Sequence, residues 1–499
     1  MIITKPAPAT IDLPSWTFRP AHLGCLAADP GTIEFKPLTV VCGPNNSGKT
    51  WVLYALYAFL SGFDFSDLPG IDDLSQDLAQ KGKVTLDLNV WLKKSGPDII
   101  TYLNGITATN LPSTFGGTPD QFTNSRFDWQ VDFQALAHSA IERALDFRIE
   151  LGAERNIALH VSKPAQSKKI LFLQHAKDYP ETRRVLANAL ARHLIGIPEK
   201  RRVFLIPSER TGLHLLHREV TNRRANLWPA LAGAAAGAGK NGLTGAVVGG
   251  ALGAALGSLI NDISSADGRY ARPIADYIDW LNNLHVFNTA QPSTLTAAAD
   301  GVQIIANGRY AINPQGSVDF LPQTIDGDQE ESSTRLKLHL TSSTAKSVMG
   351  LWAYLNFQAQ PGDVLMIDEP ELNLHPSNQR RLARLLAKLV NSGLRVVVST
   401  HSDYLVREIN SLLMLSRPAP VQQALMAKYG YSQDELITPA QVSAWLFCDR
   451  RIQPMDIDDV EGIAAKTFDD QIHELNDTSD GIYYAYQDAL GDHEREGNA

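Results

Sequence analysis

The chain has 499 residues, of which 44% are hydrophobic and 20% charged, and its formal net charge at pH 7 is -9. That length buries a substantial core and accommodates two or three structural units, while the composition excludes wholesale disorder and a multi-span membrane protein. Cys25, Cys42 and Cys448 lie far apart with no metal-ligand spacing, which argues against a disulfide framework or a zinc site and fits a reducing cytoplasm.

The first residues, Met1 to Pro8, lack the basic start and apolar core of a secretory signal. Residues 32–42 give an alternating strand and then a short apolar run that ends at Gly43, and Trp51–Leu60 continues as an apolar helix. Lys83–Leu92 alternates like another strand, residues 122–162 mix strand-like and helical pieces, Thr182–Leu194 reads as a helix and Val203–Pro207 as a short buried strand. Residues 143–224 are rich in Arg and Lys, which suits either phosphate contact or ordinary solvated helix faces, while the stretch from Asp456 onward is acidic.

Composition shifts sharply at Trp228-Pro229, and residues 230–260 are almost entirely Gly, Ala and other small apolar residues. Lys240 and Asn241 divide this segment into halves shorter than the roughly 20 residues a bilayer span needs, so a close-packed hairpin or a poorly ordered loop is expected rather than membrane insertion. Arg272–Leu281 resumes as an amphipathic helix, and residues 302–322 read as short strands joined by turns at Asn307-Gly308 and Gln315-Gly316. From Lys346 helices and strands alternate: a helix through Leu355, the strand Asp363–Asp368, a helix Ser377–Val390 and the strand Leu394–Ser399. The expected fold is α/β, with a largely parallel sheet built by residues 1–115 and 330–450. Residues 116–329 are read as an inserted unit, helical or mixed and mainly helical in fold class, that includes the Gly/Ala-rich segment, and 451–499 as an acidic helical tail.

Gly43-Pro44-Asn45-Asn46-Ser47-Gly48-Lys49-Thr50 matches the P-loop pattern, in the strand–loop–helix context such a loop needs. Its glycines let backbone N–H groups surround phosphate oxygens, Lys49 neutralises the β and γ phosphates, and Thr50 offers its hydroxyl to Mg²⁺. Asp368 and Glu369 end an apolar strand, where Asp368 reaches the metal and Glu369 can polarise the attacking water. His401 follows a second buried strand and is placed to contact a γ-phosphate. ATP and Mg²⁺ are therefore the expected ligands.

Gly43–Thr50, Ile367-Asp-Glu-Pro-Glu-Leu-Asn-Leu-His-Pro376 and Ser399-Thr-His-Ser-Asp403 together resemble the ABC-type ATPase heads related to the overcoming-lysogenization-defect group (AAA-15/AAA-21). That group includes ATPase subunits of PARIS-, Septu- and retron-type anti-phage systems. The resemblance implies a Walker A motif, a Walker B motif with its catalytic glutamate, a D-loop and a histidine switch at these positions. Pro207-Ser-Glu-Arg210-Thr-Gly212 resembles a Pro-Ala-x-Arg-x-Gly segment of the same group. Where ABC transporters carry Leu-Ser-Gly-Gly-Gln, this chain has Leu340-Thr-Ser-Ser-Thr-Ala-Lys346-Ser347. Ser342, Ser343 and Lys346 can meet a partner's γ-phosphate from there, or the serines can simply cap the helix.

Nucleases of this group append a Toprim domain; Asp459-Val-Glu461-Gly462 looks like the start of one, but the remaining stretch to Ala499 is too short to complete it. The expectation is a homodimer or higher homo-oligomer clamped by ATP, acting as the sensor subunit of a defence complex with a separately encoded effector, a nuclease. The alternative is a DNA-binding repair or chromosome-maintenance ATPase resembling RecF or SMC heads, with nucleic acid held by residues 143–224. No coiled coil of the length an SMC arm needs appears.

Overall fold

The computed structural model describes residues 15–61, 63–151, 156–175, 181–197, 202–217, 270–287, 293–313, 316–323, 335–464, 476–484 and 486. Its centre is a six-stranded sheet in the order Arg451–Pro454, Val442–Cys448, Leu38–Cys42, Arg395–Thr400, Val364–Asp368, Val203–Ile206. All pairings are parallel except that of the edge strand Arg451–Pro454. The three middle strands are buried along their whole length, which is why they read as continuous apolar runs rather than as alternating ones.

Alternate residues of these strands feed two cores. Val41, Val364, Met366 and Val397 face the core that holds the P-loop helix, Lys49–Ser61. Val40, Leu365, Ile367, Val396 and Val398 face the other core, with the helices Ser343–Phe357, Pro376–Asn391 and Asp403–Ser416. The molecule is thus a helix-covered, mostly parallel sheet, the α/β P-loop architecture expected from the strand and helix alternation.

Flanking the first core are two antiparallel sheets. One pairs Trp16–Ala21 with Ile33–Phe35 and Arg126–Trp129; the other runs Lys83–Asp87, Lys169–Gln174, Asn156–Lys163, Leu145–Leu151. A third antiparallel sheet, Gly308–Ile312, Val318–Pro322 and Leu336–Lys337, lies beside the second core. The described residues of the stretch 116–329 form strands as well as helices, and Val203–Ile206 supplies the edge strand of the central sheet. At the other end, Arg451–Pro454 carries the sheet past residue 450.

The strand expected over Lys83–Leu92 stops at Asp87, whose carboxylate accepts the N–H groups of Asn89 and Val90 and starts a helix, Leu88–Phe115. An Asp at that point is a strong N-cap, and it outweighs the alternation around it. Val302–Ala306 belongs to the helix Thr296–Ala306 rather than to a strand; Asn307 ends it in the left-handed conformation, with φ 55°. The Gly/Ala-rich segment 230–260 and, within the expected helical tail, residues 465–475 lie outside the described residues. Residues 476–484 are helical and exposed. Among the described residues no helix is long and apolar enough to cross a membrane.

Candidate nucleotide site

The P-loop leaves the buried strand Leu38–Cys42 and runs into the helix Lys49–Ser61. Gly43 has φ 146°, and a Cβ there would overlap the carbonyl oxygen of Phe447 on the neighbouring strand, so only glycine fits. Asn46 takes φ 59°, a conformation asparagine tolerates, and Gly48 takes φ 103°. The loop therefore turns back on itself at the N-terminus of its helix, a ready anion cradle. Lys49 is 5% exposed, and its ammonium donates to the carbonyls of Gly43 at 2.9 Å and Pro44 at 2.8 Å. Burial lowers its pKa, opposed by Glu369, Asp368, Cys42 and Glu371. Among the described residues the buried Ser47 Oγ has no hydrogen-bond partner, which leaves its hydroxyl available at the cradle. Asn45 lies on the loop's exposed side.

Parallel pairing brings the distant carboxylates to this loop. Leu38–Cys42 neighbours Arg395–Thr400, which neighbours Val364–Asp368, all in register, so their C-terminal ends share one edge. There Thr50 Oγ1 donates to Asp368 Oδ2 at 2.9 Å, and Ser399 donates its hydroxyl to Asp368 Oδ1. Asp368 is 1% exposed; burial raises its carboxyl pKa, while the hydrogen bonds from Ser399 and Thr50 oppose that rise. Thr50 and Asp368 offer hard oxygens side by side, and with the unpartnered Ser47 hydroxyl they fit a Mg²⁺-nucleotide.

Glu369 follows with φ 47°, strained for a residue with a side chain. Its N–H is held by both the carbonyl and the hydroxyl of Ser399, at 3.1 and 3.0 Å. Glu369 Oε1 lies 3.4 Å from His401 Nε2, both side chains being partly exposed. His401 is in turn fixed through its backbone N–H, which donates to Glu371 Oε1 at 2.7 Å. Burial and then Lys49 lower the His401 pKa, against Glu369, which favours the neutral imidazole.

Gly43, Ser47, Lys49, Thr50, Asp368, Glu369 and His401 thus come together. Ser342, Ser343 and Lys346 stand elsewhere: they open the helix Ser343–Phe357, where Ser342 Oγ accepts from Ala345 N–H at 3.1 Å. The capping role is realised for Ser342. The contacts of this helix start run to the turn after Glu369: Thr344 Oγ1 donates to the Asn373 carbonyl and Ser347 Oγ to the Leu372 carbonyl, each at 2.8 Å.

Sequence reasoning did not assign Ser399, although a serine closing a fully buried strand just before Thr-His is a usable signal. Nor did it give a role to Arg210, which is 2% exposed. Its Nε donates to the Ser347 carbonyl at 3.1 Å and hydroxyl at 3.2 Å. Nη1 donates to the carbonyls of Asp368 at 2.9 Å and Pro207 at 3.3 Å, and Nη2 to the Glu369 carbonyl at 2.8 Å. Four residues on, along the helical residues 210–217, His214 donates to the Lys346 carbonyl at 2.7 Å and accepts from Tyr277 OH at 2.7 Å. Burial pushes its pKa down to about 3, so it is neutral.

Residues 260–406 match the model of the AAA ATPase domain family, a span that contains the Asp368, Glu369 and His401 motifs. Among solved structures the chain is similar to the Smc head domain of Pyrococcus furiosus with an extended coiled coil, bound to the C-terminal domain of ScpA. The identity is 11%, over 93% of this chain and 100% of that one, with a TM-score of 0.31. It is similar also to the SMC head domain of Thermotoga maritima, at 10% identity over 89% and 99% of the two chains, with a TM-score of 0.30. The fold assignment rests on the sheet order rather than on these scores. No curated protein matches the chain. The chain thus has an α/β P-loop fold, part of which matches the AAA ATPase domain model.

Proposed function

We propose that this chain binds ATP with Mg²⁺ and hydrolyses it to ADP and phosphate at a site completed by a second copy, and that the cycle controls a separate effector. The observation that carries this reading is the junction of Thr50, Asp368 and Ser399 beside Lys49, with Glu369 and His401 at its open rim. Lys49 exchanges the Gly43 and Pro44 carbonyls for phosphate oxygens, and the P-loop N–H groups hold the rest of the phosphate chain. Mg²⁺, held by Thr50 and Asp368, supplies charge neutralisation to the phosphates. Glu369, partly exposed, orients the attacking water and accepts its proton; His401 lies beside it to contact the terminal phosphate. Ser342, Ser343 and Lys346 on one copy face the nucleotide of the other.

The effector reading, a nuclease-controlling sensor of a bacterial anti-phage complex in the cytoplasm, is supported by the motif resemblance alone. The DNA-binding alternative finds less support. Of the basic stretch, Arg143 donates to the carbonyls of His193 and Leu194, the Lys163 ammonium is held by the carbonyls of Ile141 and Pro164, Arg183 pairs with Asp67 and Asp72, and Arg184 with Glu181. Arg143 and Lys163 thus serve the fold, and the charges of Arg183 and Arg184 are offset by neighbouring carboxylates. Steady-state hydrolysis by Glu369→Gln tests the core of the reading: the variant should retain nucleotide and lose turnover, and wild-type turnover would refute it. Purification with the products of neighbouring genes tests the rest, and recovery of no partner protein in any nucleotide state would remove the effector role.

A further inference from the structure

Arg210 is a buried guanidinium that makes five hydrogen bonds: one to the nearby Pro207 carbonyl and four that reach two separate elements. On one side are the carbonyls of Asp368 and Glu369; on the other are the carbonyl and hydroxyl of Ser347, in the first turns of the helix Ser343–Phe357. The same two elements are also stitched by Thr344 and Ser347 to the carbonyls of Asn373 and Leu372. His214, on the same helix as Arg210, holds the carbonyl of Lys346. The start of the signature-like helix and the Asp368–Glu369 turn therefore cannot move independently. Glu369 sits in that turn with a positive φ, so its carboxylate direction is set by the backbone that Arg210 grips.

We propose that Arg210 is a positioning residue that couples the two nucleotide sites of a dimer: occupancy of the partner's site at the Ser342–Lys346 helix start sets the pose of Glu369 in the same chain. This rests on the shared-site reading above and deepens it. Lysine cannot replace arginine here, because an ammonium has no planar fork to span Ser347 and both turn carbonyls at once. A coupling of this kind is a free energy between two sites and is read as cooperativity.

The test compares wild type, Arg210→Lys and Ser347→Ala in the full chain. Affinity for a fluorescent ATP analogue, thermal midpoint, kcat and the Hill coefficient for ATP are measured for each. Wild type should show a Hill coefficient above 1. Arg210→Lys should keep analogue affinity within about twofold while kcat falls by about tenfold or more and the Hill coefficient drops to 1. Ser347→Ala, which keeps Arg210, should lower the Hill coefficient with a smaller loss of kcat. A Hill coefficient of 1 in wild type, or an Arg210→Lys variant with unchanged kcat and cooperativity, overturns the proposal. So does a variant that loses thermal stability and analogue affinity while its turnover per bound nucleotide is unchanged. Glu369→Gln separates the two ideas: if it hydrolyses ATP normally the catalytic reading fails, whereas its inactivity together with a cooperative Arg210→Lys enzyme defeats only the coupling.

Discussion

Lys49 is the buried cation of the proposed phosphate cradle, and its surroundings say what its loss does. Its ammonium is held by two backbone carbonyls, so Lys49→Ala removes the proposed phosphate charge partner and takes this donor from both carbonyls. Isothermal titration should show at least a hundredfold loss of ATP affinity, which is about 2.7 kcal/mol. At the same scale two histidines make stability pH-dependent. Burial pushes His193 and His214 down to about 3, against about 6.5 in an unfolded chain. Their stability contribution is therefore complete above the unfolded value and is lost as pH falls from about 6.5 toward 3, because only the unfolded chain takes up the protons. Between pH 6.5 and 5 each should cost about 1.6 kcal/mol, visible as a falling denaturation midpoint. His214→Gln should flatten the slope by about half.

Helix packing explains why Gly350 lies in the middle of the helix Ser343–Phe357, where glycine is otherwise costly. A Cβ at that position would overlap the hydroxyl of Tyr277, which His214 holds in place, and would also crowd the His214 ring. Gly350→Ala should destabilise by about 1–3 kcal/mol despite its better helix propensity. Tyr277→Phe removes the obstructing hydroxyl, so in chemical denaturation the double variant should cost less than the sum of the two single changes. Since this helix begins at the signature-like segment, such packing also decides how that segment is presented.

Across the whole molecule the central expectation is association. A nucleotide that binds the paired state better than the single chain shifts the equilibrium by that difference in affinity. Glu369→Gln with ATP and Mg²⁺ should elute at twice the monomer mass in light-scattering chromatography, and Lys49→Ala should stay monomeric under the same conditions. A Glu369→Gln chain that remains monomeric with saturating ATP would remove the clamp from the model. The internal pairing of Arg143, Lys163, Arg183 and Arg184 predicts weak duplex DNA binding, and fluorescence anisotropy across a salt series should show no steep slope of log affinity against log salt.

The sequence alone determined the parts that local chemistry dictates. The P-loop is legible because strand, glycines, Lys49 and Thr50 are contiguous. The buried strands ending at Asp368 and Ser399 are legible because strands covered on both faces must be apolar throughout. Asp87 was missed as an element boundary because a single capping residue competes with the periodicity on either side of it, whereas the turn at Asn307-Gly308 was read and only the helix before it was taken for a strand. What joins Thr50 to Asp368 is 318 residues of separation closed by the register of three parallel strands, and no spacing rule encodes that. Arg210 is the clearest case. Its motif could be recognised in the sequence, but its meaning depends on four backbone carbonyls and one hydroxyl brought together from distant segments. Backbone carbonyls leave no trace in residue identity, so only the tertiary structure could decide what that guanidinium holds.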